Sequence, residues 1–302
     1  SFSNCGQYSY TFFIMDTPIA LFELMFFYIS IIEHVPGLIK KFFPYSSSLK
    51  PCPTFDIIIA TYTQGGTYMN QKRCCIYGAG SLGTILGAFI SKAGVPIELI
   101  NRNKAHVEAL KTKGAQVVGT MNFCQPVVAY TPSEMSGTYD IVFLMTKQQH
   151  NPEVVTMLKD FLAPDGVLVT FQNGLPEMQI AEILGEERVL GCTVAWGATL
   201  QSPGVCELTS EPDALSYSLG AISAKRSKHF NQVKELLELM GKVDVEENFI
   251  GTRWSKLLIN AAFSGMSAVL GCTFGEAAGP KESRRIVQAL IKECIDVCKK
   301  GG

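Results

Sequence analysis

The sequence predicts an α/β protein with a strand-rich middle and a helical end. Three observations predict it. A glycine-rich turn at 78–83 is framed by a short apolar run, an amphipathic helix pattern and a second apolar run. Two more apolar runs, 139–145 and 167–171, flank a helical stretch at 152–162. From about Phe249 onward only helical spacing is found. Strands alternating with helices imply a parallel sheet covered by helices.

At 302 residues the chain is long enough for about two domains of roughly 150 residues each. Hydrophobic residues make up 47% and charged residues 18%, so a sizeable core can be buried. The net charge of −1, from 26 basic against 27 acidic residues, gives no electrostatic case for a nucleic-acid partner. Ten cysteines contain no CxxC pair, and the four histidines do not cluster with them. A metal site is therefore not expected, and a reducing, cytoplasmic setting is. Cys294 and Cys298 share a helix face and read as small core residues.

The mean hydropathy of +0.19 asks for either a membrane segment or an unusually apolar stretch. Residues 11–32 are such a stretch, about the length that spans a bilayer. Asp16, Pro18 and Glu23 interrupt it, and a carboxylate near the middle costs on the order of 3 kcal/mol. There is no basic lead or cleavage signal, so a signal peptide fits poorly. Residues 46–67 read as a Ser/Pro/Thr/Gly linker. The expected division is an extension over 1–68, a nucleotide-binding domain over 69–248 opening at Met69, and a helical domain over 249–302. A membrane anchor in 11–32 is the competing reading of the extension.

The elements follow in order. Cys74 to Tyr77 is a buried strand ending in Gly78-Ala79-Gly80-Ser81-Leu82-Gly83, a complete GxGxxG. Leu82, Ile85, Leu86, Phe89 and Ile90 then form one helical face. Gly94 stops the helix, and 95–100 is the second strand. In this context the glycines form a tight turn that lets a dinucleotide's pyrophosphate reach free N–H groups at a helix start. Outside it, the motif would read as an ordinary glycine turn. The second strand ends in Asn101-Arg102-Asn103, where an NAD enzyme usually has an acid. Arg102 can grip a 2′-phosphate with paired charge-assisted hydrogen bonds, which argues for NADP(H). A solvated loop arginine is the plainer alternative.

Lys147 and Gln172-Asn173-Gly174 lie just past the strands at 139–145 and 167–171. That edge of a parallel sheet is where ligands bind, although either segment could simply form a turn. Residues 189–223 read as short strands, 227–240 as a helix and 243–245 as a strand. Residues 251–270 read as one long helix. On it Lys256, Asn260 and Ser264 fall four apart on one face among apolar neighbours, so the lysine is either snorkelling or functional.

GAGSLG, Arg102, the Met145–Lys147 segment, QNG and WSKLLIN come in the order and spacing of ketopantoate reductase (2-dehydropantoate 2-reductase). The chain resembles that family over about 71–302. The resemblance implies an N-terminal Rossmann domain and an all-helical C-terminal domain, with the active site between them. It implies NADPH-dependent reduction of 2-dehydropantoate to (R)-pantoate, a small-molecule substrate, and room for a homodimer. It makes Lys256 the proton donor, Asn173 a contact to cofactor and substrate, and Asn260 a substrate ligand. Lys147 lies near the cofactor, and Gly197 near a backbone contact to NADP. Ser264 stands where the family often has a second asparagine, which leaves another branched 2-oxo acid open as substrate. The family continues past Gly302 with helices carrying further substrate residues. The helical domain therefore reads as truncated and the chain as poorly active, with a catalytically incomplete NADP-binding module as the alternative.

Overall fold

The computed structural model describes residues 72–300. The expectations for the apolar stretch 11–32, the linker 46–67 and the start at Met69 lie outside these residues. The described chain divides into two compact units between Arg253 and Trp254.

In the first unit the chain begins β1 (Cys74–Tyr77), α1 (Ser81–Lys92), β2 (Glu98–Ile100), α2 (Lys104–Lys113), β3 (Ala115–Gly119), β4 (Phe123–Gln125) and β5 (Val128–Tyr130). It continues β6 (Tyr139–Leu144), α3 (Asn151–Phe161), β7 (Leu162–Thr170), α4 (Pro176–Leu184) and β8 (Val189–Val194). It ends β9 (Ala198–Ser202), β10 (Val205–Leu208), β11 (Ser216–Ala221), α5 (Phe230–Glu238), β12 (Lys242–Val245) and the first turn of α6 (Phe249–Ile259), whose remainder belongs to the second unit.

The main sheet has eight strands in the order β12-β11-β8-β7-β6-β1-β2-β5. Its neighbours run parallel except β8 and β11. Its central strands read as unbroken apolar runs because both faces are covered; Ile141, Val142, Phe143 and Leu144 are fully buried. β2 is shorter than the sequence suggests. Pro96 has no N–H to donate, so the ladder begins at Glu98.

A second sheet, β4-β3-β10-β9, also packs against α1. This corrects the one-faced reading of α1. Thr84, Gly87 and Ala88 are buried along with Ile85, Leu86 and Ile90, while Leu82 and Phe89 are only partly covered. α5 is shorter than the helix expected over 227–240.

The second unit is helical. The single helix expected over 251–270 is α6, a π turn at Asn260–Ser264, and α7 (Gly265–Leu270). Then follow α8 (Phe274–Ala278), closed by a Thr273–Glu276 capping box, and α9 (Lys281–Lys300). Ala262, Met266, Ala277, Val287 and Ile291 form its core. α9 turns Ser283, Val287, Ile291 and Cys294 inward, leaving Ile286 and Val297 about half exposed. No helix among the described residues is long and apolar enough to cross a membrane.

Candidate functional site

The glycine turn between β1 and α1 has the geometry its sequence suggests. Gly78 sits at φ +97°, and a Cβ there would stand 2.7 Å from the backbone nitrogen of Thr146. The N–H groups of Gly78 and Ala79 both donate to the Ile100 carbonyl at 2.9 Å, which ties the turn to the end of β2. At Gly83 a Cβ would press Ile76 at 2.9 Å, so only glycine lets α1 lie this close to β1. At Gly80 the nearest atom to such a Cβ is 3.9 Å away, and that side is open. α1 starts without a side-chain cap and without an acid in its first turn. An open approach to free helix N–H groups of positive polarity is an anion site. Ser81 and Leu82 supply the first of those N–H groups.

The carbonyl of Ala79 is turned inward. It accepts from Asn101 Nδ2 at 2.8 Å and Thr84 Oγ1 at 3.1 Å, and lies 3.0 Å from His106 Nε2. Asn101 also accepts from the Asn103 N–H at 2.8 Å, and Asn103 caps α2. Arg102 is left exposed between them. Its charge opposes the rise that burial imposes on the Tyr77 hydroxyl pKa, so it stands beside the end of β1.

β1, β6 and β7 are adjacent, so their exits lie side by side. Lys147 and Asn173 are both exposed at these exits. Beneath them is a buried polar network. Gln172 and Asn151 exchange amide hydrogen bonds at 2.7 and 2.9 Å, and Thr170 Oγ1 donates to Gln172 Oε1 at 3.1 Å. Arg253 donates to the carbonyls of Gln172 at 2.6 Å and Thr170 at 3.1 Å, and its Nε to Glu177 Oε1 at 2.8 Å. Gly197 behaves differently from the others. Its N–H donates to Ser210 Oγ at 2.9 Å and its carbonyl accepts from Thr209 at 3.1 Å, so a ligand would meet only the carbonyl's second lone pair.

In the helical unit Lys256, Asn260 and Ser264 are each half-buried. Four residues of α-helix overshoot a full turn by about 40°. A π turn rotates less per residue, so the segment beginning at Asn260 brings Ser264 back toward the line of Lys256. Such turns recur at functional sites, and no spacing in 251–270 announces this one.

Away from the strand ends, Asp140, Asp165 and His229 bring potential ligand atoms within 4.8 Å of one another. Lys72 and Lys228 pair with the two carboxylates and already supply the countercharge.

The family model for ketopantoate reductase PanE/ApbA matches residues 74–220, and that for its C-terminal domain matches 248–302. The chain belongs to the ketopantoate reductase family. It is an oxidoreductase. The 2-dehydropantoate 2-reductase of Pyrococcus horikoshii is 29% identical over 229 residues, covering 75% of this chain and 73% of that protein. The Streptococcus pyogenes M3 enzyme of the same name is 25% identical over 224 residues, covering 74% and 72%. Among solved structures, 2-dehydropantoate 2-reductase from Geobacter metallireducens superposes with TM-score 0.64 at 25% identity, covering 71% of each chain. D-mandelate dehydrogenase in complex with NADH shares the fold, with TM-score 0.66 at 18% identity, covering 76% of this chain and 74% of that one. The turn, Arg102, Lys147, Asn173 and Gly197 fall in the first ketopantoate reductase match, and Lys256, Asn260 and Ser264 in the second.

Sequence reasoning passed over His106, Asn151, Glu177 and Arg253. A usable signal existed for two of them. An arginine directly before Trp254 in an apolar helix needs a buried acid, and Glu177 follows QNG by three residues.

Proposed function

We propose that the chain reduces 2-dehydropantoate to (R)-pantoate with NADPH. The observation that carries this reading is the turn at 78–83, open at Gly80 and leading into an uncapped helix. Its N–H groups would hold the diphosphate of the dinucleotide. Arg102 would hold the 2′-phosphate that distinguishes NADPH from NADH. Lys147 and Asn173 would border the nicotinamide end. Bound NADPH would supply a hydride to the keto carbon.

The protein's own part is to bind the 2-oxo acid and manage the charge that forms on its oxygen. Lys256 stabilises the developing alkoxide with its ammonium group and transfers a proton to that oxygen. It becomes neutral in doing so and recovers the proton from solvent. Asn260 and Ser264 hydrogen-bond the substrate's polar groups. The test is NADPH oxidation at 340 nm across a panel of 2-oxo acids. The expected result is the highest kcat/KM for 2-dehydropantoate. A different branched 2-oxo acid at the top would reassign the substrate. NADPH binding without turnover on any of them would refute the reductase reading.

A further inference from the structure

His106 lies at the start of α2 and is fully buried. Its ring bridges three segments that are remote in sequence. Nδ1 accepts the backbone N–H of Gly204 at 3.0 Å, in the turn between β9 and β10. Nε2 faces the Ala79 carbonyl at 3.0 Å and Thr84 Oγ1 at 3.1 Å. A backbone N–H can only donate, so Nδ1 must be bare. A carbonyl can only accept, so Nε2 must carry the hydrogen. One neutral tautomer satisfies both ends, and the imidazolium would set N–H against N–H at Gly204.

Ala79 lies inside the glycine turn. Its carbonyl and the Gly80 N–H belong to one peptide plane, and that N–H donates to the Gly78 carbonyl at 2.7 Å. Fixing the carbonyl therefore fixes the plane that leads into the start of α1. Asn101 and Thr84 contribute to the same carbonyl, and His106 ties it to the Gly204 turn of the second sheet.

We propose that His106, as the neutral Nε2–H tautomer, is a positioning residue that presets the glycine turn for the phosphates of the dinucleotide. It touches neither cofactor nor substrate. The inference rests on the NADPH reading above. It predicts that losing the imidazole weakens cofactor binding and leaves the chemical step alone.

The experiment compares the parent chain with His106→Phe and His106→Gln. The phenylalanine keeps the volume and removes both hydrogen bonds, whereas the glutamine keeps an amide donor. NADPH affinity is measured by fluorescence titration and folding by circular dichroism. His106→Phe should weaken NADPH at least tenfold and His106→Gln should recover most of that loss. The KM for NADPH should rise in His106→Phe while kcat at saturating NADPH stays within about twofold. A folded His106→Phe with unchanged NADPH affinity, or a glutamine variant no better than it, overturns the proposal. If His106→Phe does not fold, nitrogen-15 NMR of the parent ring decides: a protonated Nε2 with bare Nδ1, shifted on adding NADPH, supports the role. The opposite tautomer, or a ring unmoved by NADPH, overturns it. A parent chain that binds no NADPH defeats the cofactor reading itself, which is a distinct outcome.

Discussion

Arg253 Nε donates to Glu177 Oε1 across 2.8 Å, with both side chains withdrawn from solvent. The same guanidinium holds the carbonyls of Thr170 and Gln172, so it anchors the strand end that presents Asn173. Arg253→Met leaves the carboxylate buried and unpaired, a loss of about 3–5 kcal/mol. Burial raises the Glu177 pKa and Arg253 opposes the rise. Without the arginine the pKa climbs further, and protonation relieves the buried charge. Urea denaturation of the variant should therefore show its deficit shrinking as pH falls from neutrality. A deficit that grows on the acid side contradicts the pairing.

Phe249 occupies a slot opened by two glycines on adjacent strands. Gly191 of β8 and Gly220 of β11 are register partners, and a Cβ on either would overlap Phe249. Gly191→Ala should cost about 1–3 kcal/mol by overpacking. A thermal melt unchanged from the parent would show that the start of α6 is not seated there.

Burial lowers the pKa of both His106 and His229 in the folded chain. The unfolded chain protonates each near pH 6.5. Below that value the unfolded chain binds more protons, so stability rises with pH there. The contribution is fully present above about pH 6.5 and is lost as pH falls through it toward the lower folded-state values. Melting temperature between about pH 5 and pH 8 should drop on the acid side. Replacing either histidine with phenylalanine should flatten the drop. A parent chain equally stable at both ends contradicts the neutral, buried imidazoles.

Arg102 stands exposed at the end of β2, in a loop whose shape is set by Asn101 and Asn103 rather than by the arginine itself. Arg102→Asp should leave folding untouched and weaken NADPH by about tenfold or more, the worth of a charge-assisted pair. NADH should change little. Isothermal titration with both cofactors checks this, and equal losses would remove Arg102 from the 2′-phosphate site.

Much of this was legible before the fold was known. The turn at 78–83, the strands at 74–77 and 139–144, and the split between sheet and helices rest on local periodicity and glycine chemistry, which a sequence displays directly. The hidden parts depend on what covers an element from outside. Thr84 lies against His106 and Cys206, and Gly87 lies against Leu99 of β2, partners from other segments, so no window around α1 reveals their burial. His106 and Gly204 are 98 positions apart, and Arg253 and Glu177 are 76 apart. The π turn at Asn260–Ser264 keeps Ser264 near the line of Lys256, and small residues alone do not announce it.

In the proposed reduction NADPH supplies the hydride and Lys256 the proton. The decisive comparison is 2-dehydropantoate-dependent NADPH oxidation by the parent chain and by Lys256→Ala, with NADPH affinity measured on both. The parent should turn over, the variant's kcat should fall by about 10²–10⁴-fold, and its NADPH Kd should stay within about twofold of the parent. A folded Lys256→Ala chain that binds NADPH and turns over near the parent rate would contradict that role of the lysine.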